Sequence, residues 1–156
     1  MKTFVIDTSV LLYHEDSIHA FPGNKLIIPI EVLEEVDSKK TRMDSVGNAA
    51  RYVNRFLDDI RAYGNLQDGV KLENEQIIKV VLDGKRCLDE LENPLPDTVD
   101  NRVIAVAKRF LVDDENVCLL SRDICMRVKC DSIGVSAENY TKEKAIIKRK
   151  GAYSGL

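Results

Sequence analysis

Carboxylates set beside hydroxyl residues at the ends of apolar runs are the part of this sequence equipped for chemistry. Asp7 follows Phe4-Val5-Ile6 and precedes Thr8 and Ser9, and Asp123 follows Val117-Cys118-Leu119-Leu120 and Ser121-Arg122. Two more acids, Glu35 and Asp100, fall near the starts of helical patterns. Like charges held within a few ångströms repel, so a cluster of this kind demands a compensating cation. Hard carboxylate oxygens suit Mg²⁺ or Mn²⁺. The chemistry that such an ion supports is phosphodiester hydrolysis, in which it activates water and stabilises the charge developing on phosphorus and the leaving oxygen. Each acid also has an ordinary reading. Asp7 serves equally well as a turn or capping residue, and acids early in a helix favour its positive end. Convergence of the distant acids decides between the two readings.

The elements that must bring about this convergence are short. Phe4 to Ile6 reads as a strand buried on both faces, which leaves Asp7 at its carboxyl end, where open α/β sheets bind ligands. Lys25 to Pro29 predicts a second strand stopped by its proline, and Ile30 to Lys40 a helix whose apolar face is Val32, Leu33 and Val36. Glu35 lies nearer that face, whereas Glu31 and Glu34 fit a solvated side. Glu34 remains a competitor for the role of Glu35. Ser45 to Tyr63 carries the clearest helical period, through Val46, Ala49, Val53 and Ile60, with Arg51 and Arg55 one turn apart on its other face. These arginines suit either phosphate contact or pairing with Asp58 and Asp59.

Val70 to Glu73 and Ile77 to Leu82 predict a small hairpin or edge addition, and Asp83 to Asn93 a polar segment tethered by Leu88 and Leu91. Asp97 is a candidate cap for a helix running to Leu111, with Asp100 at the head of a stripe shared with Ile104, Ala107 and Leu111. A carboxylate buried on such a stripe is costly unless protonated, paired or bound to a metal. Val117 to Leu120 predicts an interior strand, Ile124 to Lys129 a short helix, and Ser132 to Ser136 a final strand. Strands at 3–6, 26–29, 117–120 and 133–136 alternating with helices make a three-layer α/β/α domain with a mainly parallel sheet. Right-handed crossovers place the strand ends on one side.

Composition sets broad bounds. The chain has 156 residues, 44% hydrophobic and 31% charged, with a net charge of -3, which suits one globular domain and argues against passive, charge-driven nucleic-acid binding. The cysteines Cys87, Cys118, Cys125 and Cys130 lack CxxC spacing and read as reduced thiols of a cytoplasmic protein, and His14 and His19 lie too far away for a zinc site. Those histidines read as surface residues of a polar connection. No run is long enough to span a membrane. Residues 1–137 form the expected domain, and 138–156, with Lys142, Lys144, Lys148, Arg149 and Lys150, a basic extension or linker.

Taken together, Phe4-Val5-Ile6-Asp7-Thr8-Ser9, Ile28-Pro29 followed by Val32-Leu33-Glu34-Glu35-Val36, Asp100-Asn101-Arg102-Val103-Ile104-Ala105, and Leu120-Ser121-Arg122-Asp123 resemble a PIN-domain ribonuclease. The Pro29-to-Lys40 segment and Asp100-Asn101-Arg102 resemble in particular the PIN domain placed before a PhoH-like ATPase. The resemblance implies metal-dependent cleavage of single-stranded RNA, with Asp7, Glu35, Asp100 and Asp123 as catalytic and metal-holding acids. It also implies products with a 5′-phosphate and a 3′-hydroxyl. Thr8, Ser9 and Ser121 fall where the family places small polar residues that orient carboxylates or water, and Asp97 is a candidate to assist them. Lys39, Lys40, Arg42, Arg51 and Arg55 are candidate RNA backbone contacts, and no aromatic-rich stacking platform stands out. Self-association and a C-terminal PhoH-like ATPase are implied partners, although these residues contain no Walker-type Gly-Lys-Ser/Thr loop. Other readings are a structure-specific DNA 5′ nuclease, and a catalytically weak PIN-like module that binds RNA or protein. A receiver-like phosphorylation domain also clusters acids at strand ends, but its late-strand lysine has no counterpart.

Overall fold

The computed structural model describes residues 1–141. At its centre is β1 (Thr3–Ile6), whose four residues are all buried, as expected for a strand covered by helices on both faces. It pairs in parallel with β2 (Lys25–Pro29) on one side and with β5 (Val117–Leu120) on the other. The six-stranded sheet has the order β3-β4-β2-β1-β5-β6, where β3 is Val70–Lys71, β4 Ile77–Val81 and β6 Ala137–Glu138. Among the described residues only the β3–β4 pairing is antiparallel. Helices flank the sheet on both sides, giving the expected three-layer α/β/α arrangement. From β1 the chain builds outward first through β2 and β4 and later, in the opposite direction, through β5 and β6. The crevice outside the carboxyl ends of β1 and β5 is therefore a topological switch point, where such sheets bind ligands.

Helices α1 (Thr8–Leu11), α2 (Ile30–Asp37), α3 (Ser45–Ile60), α4 (Gly84–Asp89), α5 (Val99–Leu111) and α6 (Ile124–Ile133) supply the covering layers. Pro29 is both the last residue of β2 and the extended N-cap of α2, so strand passes directly into helix and Glu35 is held close to the sheet edge. In α3, the face made by Ala49, Ala50, Val53, Leu57 and Ile60 is buried, as its periodicity predicts. Ile6, Ile104 and Leu119 are wholly buried. Burial of side chains of this size contributes about 1.5–3 kcal/mol each, enough to hold a carboxylate at the margin of the core once its oxygens are hydrogen-bonded.

Several expectations need correction. The last strand is Ala137–Glu138, because α6 runs on to Ile133 and ends at Gly134, whose φ of 79° is readily adopted only by glycine. The expected hairpin forms between β3 and β4, but β4 is no edge addition: it pairs in parallel with β2 along its whole length, and of the two strands β3 alone lies at the sheet edge. The polar segment after it contains α4, anchored by buried Cys87 and Leu88. Thr98, not Asp97, caps α5, accepting from Asn101 N at 3.2 Å. His19 is partly buried, packed edge-on against Tyr52 and Phe56, whereas exposed His14 caps a 3-10 turn at Glu15–His19. The expected basic cluster from Lys142 onward lies outside the described residues.

Candidate active site

Register places the first two site residues side by side. Ile6 lies opposite Leu120, so the next residues, Asp7 and Ser121, leave neighbouring strands together, and Asp7 N donates to Leu120 O at 3.2 Å. Ser121 Oγ donates to Asp7 Oδ2 at 2.5 Å and Ser9 Oγ donates to Asp7 Oδ1 at 2.5 Å. Asp7 is 6% exposed and Ser121 fully buried. Burial raises the Asp7 carboxyl above its ordinary value; the bonds from Ser121 and Ser9 and from the backbone of Val10 pull the other way, and the nearby Asp100 charge adds to the rise.

The hydroxyls extend this centre to the other acids. Ser121 Oγ accepts from Asp123 N at 3.0 Å, and Asp123 Oδ1 in turn accepts from Cys125 N at 2.9 Å, capping α6. Ser9 Oγ accepts from Arg122 N at 3.0 Å. Thr8 reaches Glu35 rather than Asp7: its Oγ1 donates to Glu35 Oε1 at 2.5 Å. Of the two glutamates left open by sequence, Glu35 is partly buried and bonded to Thr8, and Glu34 is exposed. Asp100, in the first turn of α5, is exposed. The stripe below it is buried as expected at Ile104 and Ala107, but Asp100 itself stands at its solvent end and carries no burial cost. Lys129 Nζ on α6 donates to Asn101 Oδ1 at 3.3 Å, tying α6 to the start of α5.

The donors are all hard carboxylate or hydroxyl oxygens, and a small divalent cation would relieve the desolvated Asp7 carboxylate, whose pKa the Asp100 charge also raises. In this respect the residues fit Mg²⁺ or Mn²⁺. As arranged, no three His, Cys, Asp or Glu side chains among the described residues are grouped closely enough to hold an ion. Both Asp7 oxygens and one Glu35 oxygen accept hydroxyl bonds instead.

Glu31 departs from expectation. It is buried, not solvated, at 7% exposure, and Arg102 Nη1 donates to its Oε2 at 3.1 Å. Arg102 also holds Asp97 through Nε at 2.7 Å and Nη2 at 3.0 Å, so among the described residues the side-chain bonds of Asp97 run to Arg102. A Cβ on Gly84 would stand 2.7 Å from Glu31 Oε2, which is why α4 begins on glycine. Helical spacing could not reveal this, because the partner of Glu31 comes from a distant helix.

The five basic candidates divide into two groups. Arg51 Nη1 donates to the carbonyls of Lys40 at 2.6 Å and Arg42 at 2.8 Å, and Nη2 to Asn48 Oδ1 at 2.5 Å. It thus holds the loop after α2 against α3. Lys40 pairs with Asp37 at 3.1 Å and Arg42 with Asp44. Lys39 and Arg55 make no ion pair among the described residues. Lys40, Arg51 and Arg55 share a groove of about 740 Å³ with Leu33 and Asn54.

An open α/β sheet with hydroxyl-bonded acids at its switch point defines the class of protein, and residues 4–141 match the PIN domain family. The chain belongs to that family. Its relatives include Protein PhoH2 of Bacillus subtilis, 38% identical over 160 aligned residues covering 99% of this chain. Protein PhoH2 of Thermobispora bispora is 34% identical over 89% of the chain, and that of Mycolicibacterium smegmatis 28% identical over 94%. The chain spans about a third of their length, 36%, 32% and 34% respectively. Among solved structures, a domain of a functionally unknown protein from Methanocaldococcus jannaschii aligns with a TM-score of 0.53 at 18% identity, covering 90% of this chain and 92% of that one. That likeness concerns the fold alone. No helix among the described residues is long and apolar enough to cross a membrane.

Proposed function

We propose that this chain is the nuclease domain of a PhoH-like protein, hydrolysing single-stranded RNA with Mg²⁺ or Mn²⁺. The observation that carries the reading is the desolvated Asp7 carboxylate, gripped by Ser9 and Ser121 beside Asp100. Asp7, Asp100 and Asp123 would hold the ion, with Glu35 assisting from α2. The bound ion supplies activation of water and stabilisation of charge on the phosphate. The chain's own residues do the remaining work. Ser121 orients Asp7 and fixes the backbone of Asp123, Ser9 holds the second Asp7 oxygen, and Thr8 sets the rotamer of Glu35. Residues 1–137 are the nuclease unit in this proposal, 138–156 a basic link to an ATPase part, and the protein acts in the cytoplasm as a self-associating molecule.

The test is cleavage of end-labelled single-stranded RNA and matched DNA across Mg²⁺ and Mn²⁺ titrations, with EDTA and Asp7→Asn controls. RNA cleavage that needs the ion and is lost in Asp7→Asn is the expected result. Equal activity of Asp7→Asn overturns the role of Asp7, and preferential DNA cleavage makes the chain a DNA nuclease. The hydroxyl bonds that engage both Asp7 oxygens and one Glu35 oxygen favour one second reading, a PIN-like module that binds RNA or protein without cleaving. RNA affinity without cleavage at any ion concentration supports it.

A further inference from the structure

Arg122 lies between Ser121 and Asp123, yet its side chain leaves the acids. Its guanidinium carbon sits 3.6 Å from the centroid of the Tyr13 ring, and Nη1 donates to Tyr140 O at 3.1 Å. Tyr140 also meets Tyr13 edge-on, with ring centroids 6.1 Å apart. Two contacts thus orient the guanidinium while it makes no ion pair with any carboxylate among the described residues. Arg122 is exposed, and Tyr13 is 40% exposed. A planar cation laid on an aromatic ring and left open to solvent is pre-organised for another flat π system. Its backbone N–H meets Ser9 Oγ, and Ser9 in turn holds Asp7, so this surface is two hydrogen bonds from the proposed reacting centre.

We propose that Arg122 and Tyr13 form a nucleobase-stacking subsite for the RNA nucleotide beside the scissile phosphate. This rests on the nuclease reading and deepens it. Phosphate contacts hold a strand without regard to its bases, whereas stacking on a fixed plane requires a base at one position and sets where along the strand the phosphate meets Asp7. Because every base has a π face, the subsite selects an unstacked, single-stranded nucleotide rather than a particular sequence. Tyr13 and Arg122 come from opposite ends of the domain, so no local aromatic pattern announces the subsite in the sequence.

The test is an abasic scan. Short end-labelled single-stranded RNAs, each lacking one base, are bound to the full chain in EDTA and read by fluorescence anisotropy, while cleavage is followed separately with Mn²⁺. One abasic position is expected to weaken binding roughly tenfold. Tyr13→Leu and Arg122→Lys should bind intact RNA about as weakly as the native chain binds that abasic strand, and should lose the penalty at that position. Tyr13→Phe should retain it. Melting temperatures of all three variants should match the native protein. A flat scan overturns the subsite, as does a variant that weakens intact and abasic RNA equally while keeping the penalty. A native chain that cleaves RNA but gives a flat scan refutes the subsite alone, whereas one that neither binds nor cleaves RNA refutes the nuclease reading with it.

Discussion

Arg102 on α5 donates to Glu31 on α2 across 3.1 Å, and this bond ties together the two helices that carry the other acids. Glu31 stands one turn before Glu35 on α2, and Arg102 two residues after Asp100 on α5. Breaking a buried pair from one side leaves a carboxylate with no compensating charge, whereas replacing both members with apolar groups is often tolerated. Arg102→Met is therefore expected to lower the melting temperature by several degrees, and the double variant Arg102→Met/Glu31→Met to recover most of the loss. Thermal unfolding of the native chain, both single variants and the double variant measures the coupling. Additive losses would mean that the pair does not hold the helices together.

Ionised Asp7 works against the stability of the ion-free protein. Burial raises its folded-state pKa above the ordinary 3.8, so the folded state binds a proton more readily than the unfolded chain. The contribution of this group is therefore fully present below the unfolded value and is lost as pH rises through the folded one. At neutral pH in EDTA, Asp7→Asn is expected to melt above the native protein, and the difference to shrink as pH falls toward the folded pKa. Added Mn²⁺ should raise the melting point of the native chain and leave that of Asp7→Asn almost unchanged. A variant less stable than the native protein at pH near 7 in EDTA would contradict the assignment.

Ser121 and Asp123 permit a separation of folding from chemistry. Ser121→Ala removes the donor to Asp7 Oδ2 and the acceptor of Asp123 N–H. Loss of a group that orients a ligating carboxylate costs roughly 10–100-fold in metal affinity or activity. Asp123 also caps α6, and truncating such a cap to alanine costs about 0.5–2 kcal/mol. Asp123→Ser retains a capping oxygen but removes the carboxylate. The expected pattern is near-native melting of Asp123→Ser in EDTA with loss of Mn²⁺-induced stabilisation. An Asp123→Ser variant that Mn²⁺ still stabilises would place the ion elsewhere.

Parts of this arrangement are legible in local sequence and parts are not. Phe4-Val5-Ile6 and Val117 to Leu120 are continuous apolar runs, so β1 and β5 and the acids at their ends can be read directly from periodicity. Helical phase brings Glu35 nearer the apolar face of α2 without excluding Glu34, and the bond from Thr8 to Glu35 depends on a residue of another helix. Features that depend on distant partners are hidden. The burial of Glu31 is explained only by Arg102 and Gly84, and the stacking of Tyr13 only by Arg122. Ser132 to Ser136 has strand-like residues, but Gly134 in a left-handed turn ends α6 within that stretch and delays β6 to Ala137–Glu138. Asp100 shows the converse limit: its stripe is buried, but its place in the first turn leaves the carboxylate in water.

The loop between α2 and α3 supplies a further test of stability. Gly47 lies in the first turn of α3, where a Cβ would come within 1.9 Å of Arg42 O. The same carbonyl accepts from Arg51. Gly47→Ala must therefore displace backbone rather than a flexible side chain. It is expected to lower the melting temperature even though alanine is the better helix former by about 1 kcal/mol. An unchanged or raised melting point would show that the loop yields freely.

The basic residues lead to the last prediction, because their internal bonding separates structural from RNA-facing roles. Arg51 spends its guanidinium on two carbonyls and Asn48, so Arg51→Ala should lower stability first and RNA affinity only in consequence. Lys39 and Arg55 are uncommitted among the described residues. Lys39→Ala and Arg55→Ala should leave melting unchanged and weaken binding to all single-stranded RNAs by a similar factor. A lost phosphate contact lowers the dependence of log affinity on log salt by about 0.7 per contact for a single strand. Anisotropy titrations over a range of salt concentrations measure that slope. If Arg55→Ala leaves the slope at its native value while Arg51→Ala lowers it without loss of stability, the strand runs over Arg51 instead, and the groove between α2 and α3 must open to admit it.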